Sequence, residues 1–299
     1  MLELQGVSKS FREVSAVRDL TLSVEAGSVL GVLGPNGAGK TTTMRMLLGI
    51  LMPDAGSIRW RGSPIDARLR RSFGYLPEER GLYGKMSVRE HIVYFARLHG
   101  LSGAQAGRKA GAWIERLAIG EYATRPCAEL SKGNQQKVQI ACAAVHDPEL
   151  LVLDEPFSGL DPVNADHVAS ILRQLNAAGV TLMLSSHQMW QVEHLCGRFC
   201  IIARGEKAAE GTLEELRRAW PTRVLRVGPR SEALEAALRR AVDARVVDGG
   251  EGIIACEVPS SLDLSEVLRR LAAEAPLTHF ERVEPTLHEI YVGTVGSGA

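Results

Sequence analysis

The most explicit chemistry in this chain sits in Gly34-Pro35-Asn36-Gly37-Ala38-Gly39-Lys40-Thr41. The run fits Gly-x-x-x-x-Gly-Lys-Thr, a loop that cradles the phosphates of a nucleoside triphosphate. Glycines let the backbone curl so that successive N–H groups face the β- and γ-phosphates. A helix starting near Lys40 adds its positive N-terminal end. Lys40 is expected to reach the β- and γ-phosphates and Thr41 to hold Mg²⁺ through its hydroxyl, with Thr42 completing the cofactor-binding set. A second constellation is Leu150-Leu151-Val152-Leu153-Asp154-Glu155. An apolar strand there delivers two carboxylates at its end, where α/β sheets bind ligands. Asp154 is expected to hold Mg²⁺, mostly through water. Glu155 is expected to polarise the attacking water as general base, a contribution of roughly 10²–10⁴-fold. A third is Leu130-Ser131-Lys132-Gly133-Asn134-Gln135-Gln136-Lys137. Ser131 and Gly133 start a helix, which puts a hydroxyl and N–H groups at a positive dipole end.

The elements that must position these groups are legible in order. Ser28–Leu33 is an apolar strand ahead of the loop, and Thr42–Leu48 is helical after it. Strands are expected over Leu2–Val7, Ala16–Val24, Ser57–Trp60 and Phe73–Leu76. Ser87-Val88-Arg89-Glu90 is a capping box that opens a helix to about Leu98. Further helices cover about Ala104–Leu117 and Ser131–His146, so residues 87–148 read as a helical subdomain. Asp161-Pro162 caps and starts another helix. Thr181–Ser185 and Arg198–Ala203 are strands, and Leu213–Trp220 is a helix stopped by Pro221. After Pro221 the order is strand, helix, strand, strand, helix, strand, ending with Leu277–Val283. That βαββαβ order predicts a small ferredoxin-like α+β domain over 222–299, following a nucleotide-binding domain over 1–221. The second domain carries no phosphate loop or catalytic set and reads as regulatory or dimer-contacting.

The bulk properties fit an α/β globular protein. The chain has 299 residues, 45% of them hydrophobic, with 35 Lys+Arg against 35 Asp+Glu. A net charge of zero lends no support to a nucleic-acid partner. The five cysteines, Cys127, Cys142, Cys196, Cys200 and Cys256, form no Cys-x-x-Cys unit and read as buried thiols. Met1–Gln5 does not read as a signal peptide. The longest stretch free of Asp, Glu, Lys and Arg, Gln174–Val192, contains Asn176, Gly179, Ser185, Ser186, His187 and Gln188, so no membrane span is expected. A cytoplasmic protein is expected, and any membrane role comes through a partner.

Taken together, these motifs resemble the ATP-binding-cassette (ABC) ATPases. The family's usual signature is Leu-Ser-Gly-Gly-Gln. Leu130, Ser131 and Gly133 keep it, while Lys132 and Asn134 depart from it. Ser158-Gly159-Leu160-Asp161 resembles the loop that crosses between two cassettes, which places Asp161 near the nucleotide. His187 matches the family's switch histidine at the γ-phosphate, and Phe11 matches the aromatic that stacks on adenine. One departure bears on mechanism. In Leu76-Pro77-Glu78-Glu79-Arg80-Gly81-Leu82-Tyr83, Glu78 takes a position where the family has Gln. A carboxylate ligates Mg²⁺ more strongly by charge but cannot donate a hydrogen bond to the attacking water. The Glu78–Tyr83 string, the Ser131–Gln136 string and the ending Pro285-Thr286-Leu287-His288-Glu289-Ile290-Tyr291 resemble ATPase subunits of bacterial sodium- or drug-extruding exporters of the ABC-2 type.

The resemblance implies a P-loop ABC cassette with a RecA-like core plus antiparallel β and helical subdomains. It implies ATP and Mg²⁺ as ligands and ATP hydrolysis as the reaction. A head-to-tail sandwich with a second copy or a paralogous ATPase is implied, as is a separate integral membrane permease on whose cytoplasmic side the subunit sits. The 78–86 segment is the expected permease contact. Sodium, a drug-like molecule or a lipid all remain open as cargo. The competing class is a soluble ABC-type ATPase acting on nucleic acid or ribosomes. Repair and chromosome ATPases of that kind need a long coiled-coil insertion, and the 114 residues from Lys40 to Asp154 leave no room for one. Translation-factor cassettes usually come two to a chain.

Overall fold

The computed structural model describes residues 1–79, 81–186, 189–242, 245–248 and 252–296. The chain divides into two compact units, Met1–Thr212 with the last residues from Thr294, and Leu213–Gly293.

The first unit opens with an antiparallel hairpin, β1 (Leu2–Phe11) and β2 (Val14–Val24). Leu2 and Leu4 from β1 and Leu20, Leu22 and Val24 from β2 turn to one buried face, the period-2 pattern of a half-buried sheet, and a register shift between Leu4 and Val7 leaves Val7 buried too. The strand β3 (Val29–Leu33) is buried throughout, and the helix α1 (Lys40–Leu47) follows the phosphate loop. Then come β4 (Ala55–Trp60), the short β5 (Ser63–Pro64), the single turn α2 (Ala67–Arg70) and β6 (Phe73–Leu76). The hairpin joins β4 and β5 in a sheet ordered β2-β1-β4-β5. Met44, Met46 and Leu47 of α1 pack with that sheet and with Leu30, Val32, Leu150, Val152 and Met183 in one core.

Helices follow. α3 (Val88–Leu98) starts in the expected Ser87/Glu90 capping box, and α4 (Gly103–Arg116) in a second one formed by Ser102 and Gln105. Ser131 caps α5 (Lys132–Ala144), accepting from Asn134 N. The strand β7 (Leu150–Asp154) is wholly buried. Asp161 caps α6 (Pro162–Ala177), and β8 (Thr181–Ser185), α7 (Met189–Leu195), β9 (Arg198–Ala203) and β10 (Glu206–Gly211) complete the unit. The main sheet runs β10-β9-β3-β8-β7-β6, parallel except for the edge strand β10. Its interior strands are continuous apolar runs because helices or the second sheet cover both faces.

The start of β6 is braced by two histidines at helix ends. His99, closing α3, donates from Nδ1 to Arg71 O at 3.0 Å, and His146, just after α5, donates from Nε2 to Phe73 O at 3.1 Å. Their rings stack at 3.6 Å with 11° between planes. Burial, with the His99 ring beside it, pushes His146 down to about 4.

The second unit comprises α8 (Leu213–Ala219), β11 (Thr222–Gly228), α9 (Glu232–Ala241), β12 (Arg245–Asp248), β13 (Ile254–Pro259), α10 (Leu264–Glu274), β14 (His279–Val283) and α11 (Leu287–Gly296) as far as Gly293. Its antiparallel sheet is ordered β12-β13-β11-β14, the arrangement of a ferredoxin-like fold. Leu225, Val227, Ile254, Cys256 and Val258 meet Leu234 and Leu238 of α9 and Val267 and Leu271 of α10. The compact unit starts at Leu213, eight residues before Pro221, so α8 groups with it. Arg223 gives the physical reason. Its guanidinium, 9% exposed, donates to Arg217 O and Trp220 O and pairs with Glu284 at 2.8 Å, tying α8 to β11.

Candidate functional site

The site lies at the C-terminal edge of the parallel sheet, where β3, β8, β7 and β6 end side by side. Each strand end delivers one part: the phosphate loop after β3, Ser185 on β8, Asp154 on β7 and Glu78 just past β6. This is the crevice where open α/β sheets bind ligands.

The loop's shape is enforced sterically. Gly39 has φ 101°, and a Cβ there would lie 2.4 Å from Ala16 O. A Cβ on Gly34 would lie 2.4 Å from Ile202 O. Lys40 Nζ donates to Gly34 O at 2.8 Å and Pro35 O at 3.1 Å, so the ammonium is drawn back over the loop. Thr41 Oγ1 donates to Asp154 Oδ2 at 2.7 Å. The other carboxylate oxygen, Oδ1, accepts from Ser185 Oγ. Asp154 is 1% exposed, and these two hydroxyls satisfy a carboxylate that would be costly to bury alone.

Glu155 is held in an unusual conformation. Its φ is 54°, the left-handed region that glycine prefers. Its N–H donates to Ser185 O at 3.2 Å and Ser185 Oγ at 3.1 Å. Its carbonyl accepts from Gln136 Nε2 at 3.2 Å, and the same amide donates to Pro156 O at 3.1 Å. A backbone that costs ~1–3 kcal/mol to strain persists because its surroundings over-determine it.

A cavity of about 320 Å³ collects most of the expected residues: Phe11, Asn36, Gly37, Ala38, Gly39, Lys40, Thr41, Thr42, Glu78, Asp154 and Glu155. Gly34 and Pro35 do not line it; their carbonyls accept from Lys40 Nζ. Ala16 lines it too, and sequence reasoning missed it, since a small residue in a strand carries no chemical signal. Ser185 and Gln136 were also missed as site residues. Phe11 is 45% exposed, with Lys9 Nζ 5.8 Å from its ring centroid.

Ser131, Gly133 and Asp161 do not line this cavity. They belong to a separate exposed face built from the start of α5 and the loop before α6. A Cβ on Gly133 would lie 3.3 Å from Gly159 O and 3.5 Å from a Leu160 methyl, so α5 presses closely on that loop. Lys137, one turn further along α5, is 5% exposed, and burial lowers its pKa against the opposing charge of Asp161. Hydrogen bonds from Asn164 to Asp161 hold that carboxyl below its usual range. His187 lies outside the described residues.

A phosphate loop, an acidic strand end and a crevice at the edge of a parallel sheet define a P-loop nucleotide-binding cassette. The ABC transporter family model matches residues 17–158, and the model for the C-terminal domain of DrrA1-3-like ATP-binding proteins matches 211–295. The ABC transporter ATP-binding protein YhaQ of Bacillus subtilis is 40% identical over 99% of both chains. The Nod factor export ATP-binding protein I of Paraburkholderia xenovorans is 36% identical over 99% of this chain and 97% of its own. A solved ATP-binding subunit of an ABC transporter superposes with a TM-score of 0.68 at 33% identity, over 73% of this chain and 92% of that one. The chain belongs to the ABC transporter ATP-binding proteins, in the branch with a DrrA-like C-terminal domain. It is an ATPase, the ATP-binding subunit of a transporter. No helix among the described residues is long and apolar enough to cross a membrane.

Proposed function

We propose that this chain powers export. Two cassettes, this chain with a second copy or a paralogous ATPase, close head to tail on two ATP molecules, and hydrolysis releases them. The closure drives a separate integral membrane permease, with the ATPase peripheral on the cytoplasmic face. The observation that carries the reading is the likeness to the Nod factor export protein, which runs through both units rather than the cassette alone. Sodium, a drug-like molecule or a lipid are the cargo classes in view. No nucleic-acid partner is proposed.

The lining of the cavity supports the roles assigned to its residues. Gly34–Thr42 cradle the triphosphate, Lys40 leaves its loop carbonyls for the β- and γ-phosphates, and Phe11 stacks on adenine. Thr41, Asp154 and Glu78 are hard oxygen donors around one cavity, a set that fits Mg²⁺. When bound, the ion supplies charge neutralisation across the phosphates. Glu155 takes the proton of the attacking water, and His187 is assigned the family's switch role at the γ-phosphate by its place in the sequence. Ser131, Gly133 and Asp161, on the exposed face, serve the partner's nucleotide. When the γ-phosphate leaves, that face loses its differential contact and the closed state its advantage. Within the cassette the helical subdomain is assigned to 87–148, and the C-terminal domain, from Leu213, to regulation or dimer contact.

The permease contact is assigned to the 78–86 segment. A second cavity of about 340 Å³ opens beside it, lined by Phe73, Tyr75, Pro77, Gly81, Leu82, His91 and Phe95 among others, with no Asp, Glu, Lys or Arg among the described residues that line it. Tyr83 and Tyr94 stand exposed nearby, their ring centroids 5.6 Å apart. A cavity lined in this way, beside exposed aromatic rings, suits apolar side chains of a partner segment. Affinity capture from detergent-solubilised membranes of the native host tests the reading. An integral membrane protein should come down with the chain, and less of it with Tyr83→Arg. Ribosomes or DNA in its place would overturn the transport role.

A further inference from the structure

We propose that Gln136 is a positioning residue for hydrolysis: its side-chain amide holds Glu155 in the left-handed conformation and ties the base to the signature helix. The inference rests on the reading of Glu155 as general base. Gln136 is 3% exposed and spends its amide nitrogen on two successive carbonyls, Glu155 O and Pro156 O. Only a neutral primary amide of this length supplies two hydrogens to two acceptors without burying a charge. Ser185 holds the N–H side of the same residue, so Glu155 is pinned on both faces of its strained backbone.

The anchor's location gives the pin its meaning. Gln136 rises from α5, whose first turn is capped by Ser131. Gly133, Gln136 and Lys137, spaced i, i+3 and i+4, form one helix face against residues 155–161. Any shift of α5 that accompanies engagement of the partner's triphosphate by Ser131 is therefore transmitted to the main chain at Glu155. One chain's contact with its partner's nucleotide thus sets the aim of its own base. A glutamine at this point links two half-sites that lie on different faces of the same chain.

The test compares Gln136→Glu, which keeps shape but cannot donate, with Gln136→Leu, Gln136→Asn and Glu155→Gln, all in the full-length chain. ATP affinity and single-turnover hydrolysis with Mg²⁺ are measured for each. Misplacement of a reacting group by about 1 Å costs on the order of 100-fold. Gln136→Glu and Gln136→Leu should therefore lose roughly 10- to 100-fold in rate while ATP affinity stays within about twofold, with Gln136→Asn intermediate. Wild-type rates in both Gln136→Glu and Gln136→Leu, beside a dead Glu155→Gln, would overturn the positioning role and leave the base assignment standing. Parallel loss of affinity and rate would reduce Gln136 to a packing residue and also overturn it. Near-normal hydrolysis by Glu155→Gln would remove the base and the inference together. Should Gln136→Leu fail to fold, the isosteric Gln136→Glu decides the matter.

Discussion

Replacing His146 by Gln should remove a specific part of the cassette's acid sensitivity. In the fold His146 donates to Phe73 O, stacks on His99, and has its pKa lowered by burial to about 4. The His99 ring and Lys109 act in the same direction, while Asp147, ion-paired to Lys109, and the bond to Phe73 O oppose them. An unfolded histidine titrates near 6.5. Above that value the residue is neutral in both states, and its stabilising contribution is complete. As pH falls from about 6.5 to about 4, the unfolded chain takes up a proton that the folded chain refuses, so stability drops. A gap of roughly 2.5 pKa units at 1.36 kcal/mol each sets the loss at no more than about 3 kcal/mol. For a unit of this size that is a fall of roughly 6–12 °C in Tm. Glutamine keeps a donor at the same reach and does not titrate. The loss of stacking offsets the variant equally at every pH. Denaturation of the full chain, followed through the cassette transition from pH 7 to 4.5, should therefore show wild type and variant converging as pH falls. Parallel curves would mean that the His99–His146 brace is not the titrating element, and the account of its burial would be wrong.

Phe11→Ala should weaken ATP binding by about 1–3 kcal/mol, roughly 5- to 150-fold, through the lost stack, with Tm unchanged because the ring is 45% exposed. Equilibrium binding of ATP checks it. Gly39→Ala should be worse than Gly37→Ala, since a Cβ at 39 meets Ala16 O at 2.4 Å while one at 37 has nothing within 4 Å, although both residues have positive φ. Tm and nucleotide binding of the pair decide this. Glu78→Gln should raise the Mg²⁺ concentration needed for half-maximal stabilisation by ATP and leave metal-free ATP binding unchanged. An unchanged Mg²⁺ requirement would remove Glu78 from the metal site.

Much of the fold was legible because burial and local chemistry coincide. The runs Val29–Leu33, Leu150–Leu153 and Thr181–Ser185 are apolar because both faces of the sheet are covered. The caps at Ser87 and Asp161 were readable because a side chain satisfies orphan N–H groups within three residues. β10 was not read. Its sequence, Glu206-Lys207-Ala208-Ala209-Glu210-Gly211, suits a charged edge strand, and only the Arg204-Gly205 turn, with φ 52° and 82°, marked the hairpin. α11 was also missed, although Thr286 and Glu289 form a capping box that the sequence does display. Gln136 escaped because its partners are 19 and 20 residues away along the chain. In the run Asn134-Gln135-Gln136, nothing local says which amide turns inward. The boundary near Leu213 was hidden for the same reason, since Arg223 reaches back to α8 only in three dimensions.

The phosphate loop reads differently once the faces of the chain are separated. Lys40, Thr41, Asp154 and Glu155 share one cavity, while Ser131, Gly133 and Asp161 sit on another surface. If both sets serve one ATP, the second set must come from another chain. Mixing Lys40→Ala subunits with Ser131→Arg subunits distinguishes the arrangements. When the sets act across the interface, a mixed dimer holds one site with both defects and one site with none. Random pairing then restores about a quarter of the wild-type sites from two inactive proteins. When the sets act within one chain, every subunit carries a defect and mixing restores nothing. Hydrolysis that stays at the level of the separate variants across all mixing ratios would refute the composite site. Recovery that peaks at equal amounts would make Gly34–Thr41 one half of a site whose other half lies on a neighbour.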